Sequence, residues 1–473
     1  MRALLFLLGI YTSFLCNGQY MVDLPLNLDK SISDAHVKVL EEGVLLSFEL
    51  KKATEVVLLN ENLDFVKRIT LPAPFKSTNF IGVRETNESF FVYRKVQDSG
   101  WFMNEVKIDK TTFDTYERVY PLSNDGLDSF ANFVLDNEVF SIRSDQNNMI
   151  LKILRSSKGD DLSEYSYKLS ESDIELFRKG SGLFSTGSVS MERMDKSAEH
   201  SIYNTHEKYK FFTSNSGGLI LTIDGKENSV DYLRILTFTT EPEVEGYSRL
   251  KETFMPRVIS SGLRFSANSF IHNDMIFSVG INEDAIMLDI LDLDNLSPIK
   301  SFSSVSEEIT SRIKPNILYQ EGALSLLAKT EKSYDKPKKI MSKIRKGQAG
   351  IVVADRGSFI ELTIGSYVPP QTGGGTWVGG YNGMAPMYIP SFYSFGDGVT
   401  YFYRVKLDPE TLESLGSIDV ERDIDKLNDF LESDKSLKEE AFLNGRILFE
   451  MNGAYYIGYQ QRDTHKYKIW KAL

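Results

Sequence analysis

Histidine and cysteine, the residues that most often hold metals or start nucleophilic chemistry, are sparse in this chain of 473 residues. The five histidines, His36, His200, His206, His272 and His465, form no H-E-x-x-H or other close pair, so no metal signature is present. Cys16 is the single cysteine. It lies in an apolar N-terminal stretch, which leaves neither a disulfide framework nor a Cys-based zinc module. Gly-x-Ser-x-Gly is absent, so nothing supports a hydrolase elbow. Asp289, Asp292 and Asp294 suggest calcium by spacing, but the glycine and final glutamate of an EF-hand loop are missing, and they read as a turn. Carboxylates brought together from distant segments, as glycosidases use, leave no spacing signal. No catalytic residue is therefore assigned, and no metal or cofactor is expected.

Binding chemistry is concentrated in one region. Residues 367–398 are rich in glycine, proline and aromatics, with Trp377, Tyr381, Tyr388, Phe392 and Tyr393. Aromatics over Gly-rich backbone either staple a loop to its scaffold or offer flat platforms to sugar rings and peptide side chains. Just before them stands a basic run: Lys336, Lys338, Lys339, Lys343, Arg345 and Lys346. In a chain of net charge −12 this run is either a solvated hairpin tip or a patch for an anionic ligand or acidic partner. The acidic total argues against nucleic acid.

These residues need a scaffold to position them. Residues 1–18, MRALLFLLGIYTSFLCNG, carry one arginine and then an apolar core ending in small residues. That is the pattern of a removable secretory signal, and it is short for a membrane span. The expectation is an exported protein, periplasmic, cell-surface or extracellular, with no transmembrane span.

From there on, short β-type runs recur. One turn type is a polar or glycine step between apolar runs, as in VLEEGVLLSF (39–48), VLDNEVFSI (134–142) and FIHNDMIFSV (270–279), a hairpin signature. A second follows some 15–20 residues later. It reads VKIDKTTFDTYERV (106–119), DILDLDNLSPIKSF (289–302) and VKLDPETLESLGSI (405–418), with a shorter relative at 56–69. Asp109, Asp292 and Asp408 are placed to accept backbone N–H bonds two residues on. Two hairpins per unit of about 40–55 residues is the signature of a propeller blade. Seven units start near His36, Thr78, Phe130, Lys208, Arg264, Arg312 and Arg446. The last has three strands, and residues 19–28 supply the fourth.

The Val-Lys-Leu-Asp-Pro-Glu-Thr-Leu phrase at 405–412 and its relatives resemble the blade repeat of the YVTN and quinoprotein-like propellers. The resemblance implies a scaffold and carries over no functional residue. The expected fold is all-β: a seven-bladed propeller of four-stranded antiparallel blades, one domain over residues 19–473, closed by the N-terminal strand pairing into the last blade. A–B and C–D turns fall on one face. The interruptions at 170–200, 241–260, 330–398 and 419–440 fall on the other, with the largest expected between strands B and C of unit six. Function concentrates in such loops. The expected function is a non-catalytic binding or scaffold protein holding a protein or glycan there. The competing expectations are a polysaccharide- or peptide-processing enzyme with carboxylates or tyrosines in the central funnel, and a structural subunit of an envelope assembly.

Overall fold

The computed structural model describes residues 21–27, 32–51, 53–72, 77–97, 100–122, 127–156, 161–171, 173–174, 177, 191–196, 200–227, 230–242, 246–257, 266–282, 285–305, 317–322, 330–333, 337–369, 399–418, 445–461 and 463–471. Residues 1–18, expected to be a signal, and the stretch 419–440 lie outside them. No helix among the described residues is long and apolar enough to cross a membrane.

The strands assemble into seven antiparallel sheets of blade type. Strand β1 (Met21–Asn27) comes first. Blade 1 is β2 (Asp34–Leu40), β3 (Gly43–Leu50), β4 (Ala53–Asn60) and β5 (Phe65–Pro72). Blade 2 is β6 (Ser77–Glu85), β7 (Ser89–Gln97), β8 (Trp101–Asp109) and β9 (Thr115–Pro121). Blade 3 is β10 (Leu127–Leu135), β11 (Glu138–Asp145), β12 (Ile150–Ser156) and β13 (Leu162–Lys168). Blade 4 begins with a short extra strand, β14 (Met191–Arg193), parallel to β15 (Tyr209–Thr213), with helix α1 (Ile202–Thr205) between them. It continues as β16 (Leu219–Glu227), β17 (Val230–Pro242) and β18 (Ser248–Arg257). Blade 5 is β19 (Ser266–His272), β20 (Met275–Ile281), β21 (Ala285–Asp292) and β22 (Pro298–Val305).

A hairpin of β23 (Ile317–Gly322) and β24 (Thr330–Ser333) and helix α2 (Pro337–Ile344) then lead into blade 6. Its strands are β25 (Gln348–Asp355), β26 (Ile360–Val368), β27 (Val399–Leu407) and β28 (Ser414–Ser417). Blade 7 is β29 (Ile447–Met451), β30 (Ala454–Gln460) and β31 (Lys466–Lys471). Its fourth strand is β1, with Met21 opposite Trp470 and Val22 opposite Ile469. This is the N-terminal strand pairing expected from the sequence.

Two expectations are corrected. Residues 241–260 are not a plain connection: β18 lies there and pairs along β17. Residues 348–368 are not an insertion within unit six but two of its own strands, since β26 pairs with β27 from Ile360–Leu407 to Val368–Val399. The β23–β24 hairpin is the added piece; it attaches to the start of β27, Tyr319 opposite Phe402. A hairpin of ordinary blade spelling precedes the true blade, so the repeat count was right and its register in unit six was not.

The repeated turns explain why the sequence makes these sheets. Asp109, Asp292 and Asp408 each accept two backbone N–H bonds through Oδ1, at 2.8–3.0 Å. Asn60 does the same in blade 1. The apolar residue that ends each turn, Leu63, Phe113, Leu296 or Leu412, takes a left-handed φ of 56–62°. That conformation costs about 1 kcal/mol in an L-residue; burial of Leu63 and Leu412 offsets it. The tripled Asp289, Asp292 and Asp294 form such a turn, as read from the sequence. The short A–B turns of blades 3 and 5 have both central residues at positive φ, Asp136–Asn137 and Asn273–Asp274, the twist that tight hairpins require.

Inner strands are buried on both faces and outer strands on one. Six of the eight residues of β3 are buried, whereas β5 alternates at its end. No sheet could shelter both faces alone, so the apolar clusters join neighbours. Ile81, Phe91 and Met103 of blade 2 pack with Val139 and Leu154 of blade 3. Blades 4, 5 and 6 share a larger cluster that takes in Ile340, Met341 and Ile344 of α2. In blades 7 and 1, Phe449 and Tyr467 join Val44 and Phe48. The chain forms two compact units, one holding blades 1 and 7 and the other blades 2–6.

Candidate functional site

Within the second unit, the connection from blade 3 to blade 4 leaves the usual blade path. Ser170 and Asp173 make a reciprocal cap there: Asp173 N–H donates to Ser170 Oγ, and Ser170 N–H to Asp173 Oδ2. The chain then runs as β14 beside β15 and delivers Met194, Asp195, Lys196 and His200 to the A–B turns of blades 4–6. Between these turns lies a cleft of about 350 Å³. Phe212, Phe270, Ile271, Val352 and Val353 form its apolar floor. Its rim is polar: Asp195, Lys196, Asn215, Asp274, Asp355 and Arg356.

The rim is cross-tied. Asn215 Nδ2 donates to Asp274 Oδ2 at 2.7 Å, and Lys196 Nζ to Asn215 Oδ1 at 3.1 Å. Arg356 Nε donates to Glu361 Oε2 at 2.9 Å, and Arg404 to the other oxygen of the same carboxylate at 2.6 Å. Asp136, at the A–B turn of blade 3, anchors the connection from behind. Its Oδ1 accepts Lys196 N–H at 2.7 Å, and its Oδ2 accepts the Thr213 hydroxyl. Burial and then the Asp195 charge beside it push the Asp136 carboxyl up to about 6. Two carboxyls this close titrate as a pair and hold a proton between them in mildly acidic solution. Burial pushes His272 below the ordinary imidazole range, with Asp355 opposing the shift. Asp136, Asp195, Asp274, Asp355 and Glu361 against Lys196, Arg356 and Arg404 leave the neighbourhood at a formal charge of −2 above pH 6.

A second charged cluster sits at the other end of β15. Lys210, fully buried, donates to Glu207 O at 2.7 Å, Asp224 Oδ2 at 2.9 Å and Asn268 Oδ1 at 3.1 Å. Asp224 also takes Arg257 at 2.7 Å and the N–H and hydroxyl of Ser269. Burial alone would neutralise this carboxyl; Lys210 and Arg257 outweigh it and hold Asp224 ionised, below the ordinary range. Glu192, opposite Lys210 on β14, is pushed up to about 7 by burial and by Glu207. This cluster fixes the sheet from within.

None of the described residues singled out from the sequence as binding candidates lines this cleft. Trp377, Tyr381, Tyr388, Phe392, Tyr393 and Lys336 are outside the described residues. Lys338 and Lys339 fall on α2. Lys343, on the same helix, holds its Nζ 5.8 Å from the centre of the Tyr401 ring. Arg345 and Lys346 follow the helix and are exposed. Five of the six residues of the basic run are thus placed on or beside a short helix instead of a hairpin tip. Sequence reasoning quoted the turns at Asp136 and Asn273–Asp274 but treated them as turn formers alone. It had no signal for Asp195, which meets Asp136 only through the path of β14.

No protein-family model and no curated protein matches this chain. Among solved structures it is similar to Hsv2 of Kluyveromyces lactis, with 8% identity over 93% of this chain and 98% of that one, at a TM-score of 0.33. It is also similar to the WD40 domain of SCAP from fission yeast, with 8% identity over 74% and 96%, TM-score 0.29. A third is the dihydro-haem d1 dehydrogenase NirN in complex with DHE, with 11% identity and TM-score 0.29; the match covers 81% of this chain and 65% of NirN. The sheets themselves define the class: a β-propeller scaffold of seven four-stranded blades.

Proposed function

We propose that the chain is an exported, non-catalytic propeller that binds a protein partner, folded as a single domain over residues 19–473 once the signal at 1–18 is removed. The partner inserts a side chain with an apolar stem and a cationic tip into the cleft at the A–B turns of blades 4–6. One observation carries this reading: an apolar floor beneath a rim whose carboxylates outnumber its cations. A lysine or arginine stem matches the floor and its charge the rim. The aromatic segment with Trp377 and Tyr381 is a second contact, for the same partner or for a glycan, proposed from sequence.

The test is a titration of the full chain with two decapeptides, one alternating lysine and alanine and one alternating glutamate and alanine. Binding of the lysine peptide, weakened about tenfold by Asp195→Asn and by added salt, supports the cleft. Equal binding of both peptides, or none, overturns it. Deleting residues 367–395 tests the second contact by pull-down from the native extract.

The paired carboxyls Asp136 and Asp195 favour one other reading, acid–base hydrolysis of a peptide, since a shared proton suits that chemistry. A glycosidase needs about 5–9.5 Å between its carboxyls, which a hydrogen-bonded pair does not offer. Turnover of an unlabelled peptide mixture, abolished by Asp195→Asn, would replace the binding reading.

A further inference from the structure

We propose that Asp34, His36 and Glu49 form a binding site for one divalent transition-metal ion, with zinc the best fit. The site belongs to blade 1 alone and is independent of the cleft. Strand geometry builds it. Asp34 and His36 stand two residues apart on β2 and so share a face of the sheet. On the antiparallel neighbour β3, Glu49 lies directly opposite Asp34, and Ser47 opposite His36. One ligand atom from each of the three falls within 4.8 Å of the other two. His36 Nε2 is 3.4 Å from Asp34 Oδ2. A tetrahedral ion with nitrogen and oxygen ligands at about 2.0–2.2 Å holds neighbouring ligands about 3.3–3.6 Å apart, and the observed distance matches that edge.

The donor set decides the class of ion. One imidazole and two carboxylates suit zinc and its transition-metal neighbours; magnesium and calcium prefer oxygen throughout. Two carboxylates placed directly opposite across a strand pair repel each other. A dication between them converts that repulsion into attraction. The orientation is prepared from outside. Ala35 N–H donates to Asp34 Oδ1 at 2.9 Å, which leaves Oδ2 on the side of His36. The Ser33 N–H and hydroxyl both donate to the Glu49 carbonyl, at 2.9 and 2.8 Å, and pin the end of β3. Such supporting bonds orient metal ligands. The His36 side chain is 8% exposed and that of Asp34 47%. One side of the site is therefore closed and the other open, which gives the ion an entry and a water a place as fourth ligand.

The competing occupant is a proton. An imidazolium at His36 would also satisfy both carboxylates, and the experiment separates the two. The full chain is stripped with a chelator, dialysed, and titrated with zinc chloride by calorimetry, in parallel with calcium and magnesium chloride. Cobalt(II) replaces zinc in an absorption measurement. The expected results are one zinc per chain, a rise in Tm of about 3 °C at a hundredfold excess over Kd, and visible bands of four-coordinate cobalt. Glu49→Gln and His36→Gln, which keep the strand side chains near their native size, each weaken zinc by roughly 100-fold or more, beyond the loss of an outer-shell partner alone. The proposal is overturned if the native chain binds no zinc stoichiometrically, or if both variants bind it unchanged. It is also overturned if calcium binds as tightly as zinc. Cobalt bands in the native chain are read without any variant, so a variant that misfolds leaves the test intact.

Discussion

The two ends of β15 carry charged clusters of opposite design. At one end Lys210 and Arg257 face Asp224, every charge has a counter-charge within 3 Å, and water is shut out. At the other end Thr213 supports Asp136, which the Asp195 charge beside it opposes, and the cleft lies open next to Thr213 and Asp195. The first arrangement has its partners built in. The second holds like charges together and gains by taking up a cation, whether a proton or a side chain. The difference teaches where to look on a repeated scaffold. Every blade brings the same hairpins, so a site is marked by the turns whose charges the scaffold itself leaves unbalanced.

The contrast can be broken by substitution. The largest effect is expected from Lys210→Met, which leaves the buried Asp224 with Arg257 as its one remaining cation and strips the donor from Glu207 O and Asn268 Oδ1. Loss of about 3–5 kcal/mol should be read from equilibrium denaturation, whereas Asp195→Asn at the open end should cost under about 1 kcal/mol. Comparable losses at both ends would erase the distinction.

Next comes pH. The Asp136 pKa of about 6 lies above its ordinary 3.8. The folded chain therefore keeps a proton that the unfolded chain has released. Stability should fall as pH rises from about 4 to about 6, by about 2 kcal/mol after solvent screening, and the cost should then persist. Glu192, pushed up to about 7, acts in the same direction. The share of Asp136 is the part of the slope that Asp136→Asn removes. A slope unchanged in that variant would show that the two carboxyls do not share a proton.

Much of this fold was legible because its rules are local. Asp408 needs only Glu410 and Thr411 to close its turn, and eight residues of sequence contain all three. The spelling failed in unit six, where β23–β24 is a valid hairpin that is not the blade's own. The cleft was illegible for the opposite reason. Asp136 and Lys196 are 60 residues apart, and only the route of β14 brings them together. His36 and Asp34 illustrate a middle case. Their alternation is visible in sequence, but Glu49 becomes their neighbour only once the register of β2 on β3 is set.

Two smaller effects sharpen the comparison. Thr213→Val removes one donor from Asp136 and should cost about 1 kcal/mol while raising the pH at which the stability slope ends. Asp408→Ala, at an exposed turn, should cost less than Thr213→Val with no change in that slope. A larger loss at the turn than at Thr213 would mean that the repeated Asp governs stability more than the buried networks do.

The pairing of β1 with β31 sets a schedule for biosynthesis. Val22 finds its partner at Ile469, so a chain emerging from the ribosome can complete blades 1–6 in order but must wait for residues 466–471 before blade 7 is whole. Contacts of such long sequence separation are slow to form. Until then the first strand waits with an unpaired edge, the surface most prone to wrong pairing, and a factor that shields an extended N-terminal segment during synthesis would raise the yield of folded protein more than one acting on the finished chain.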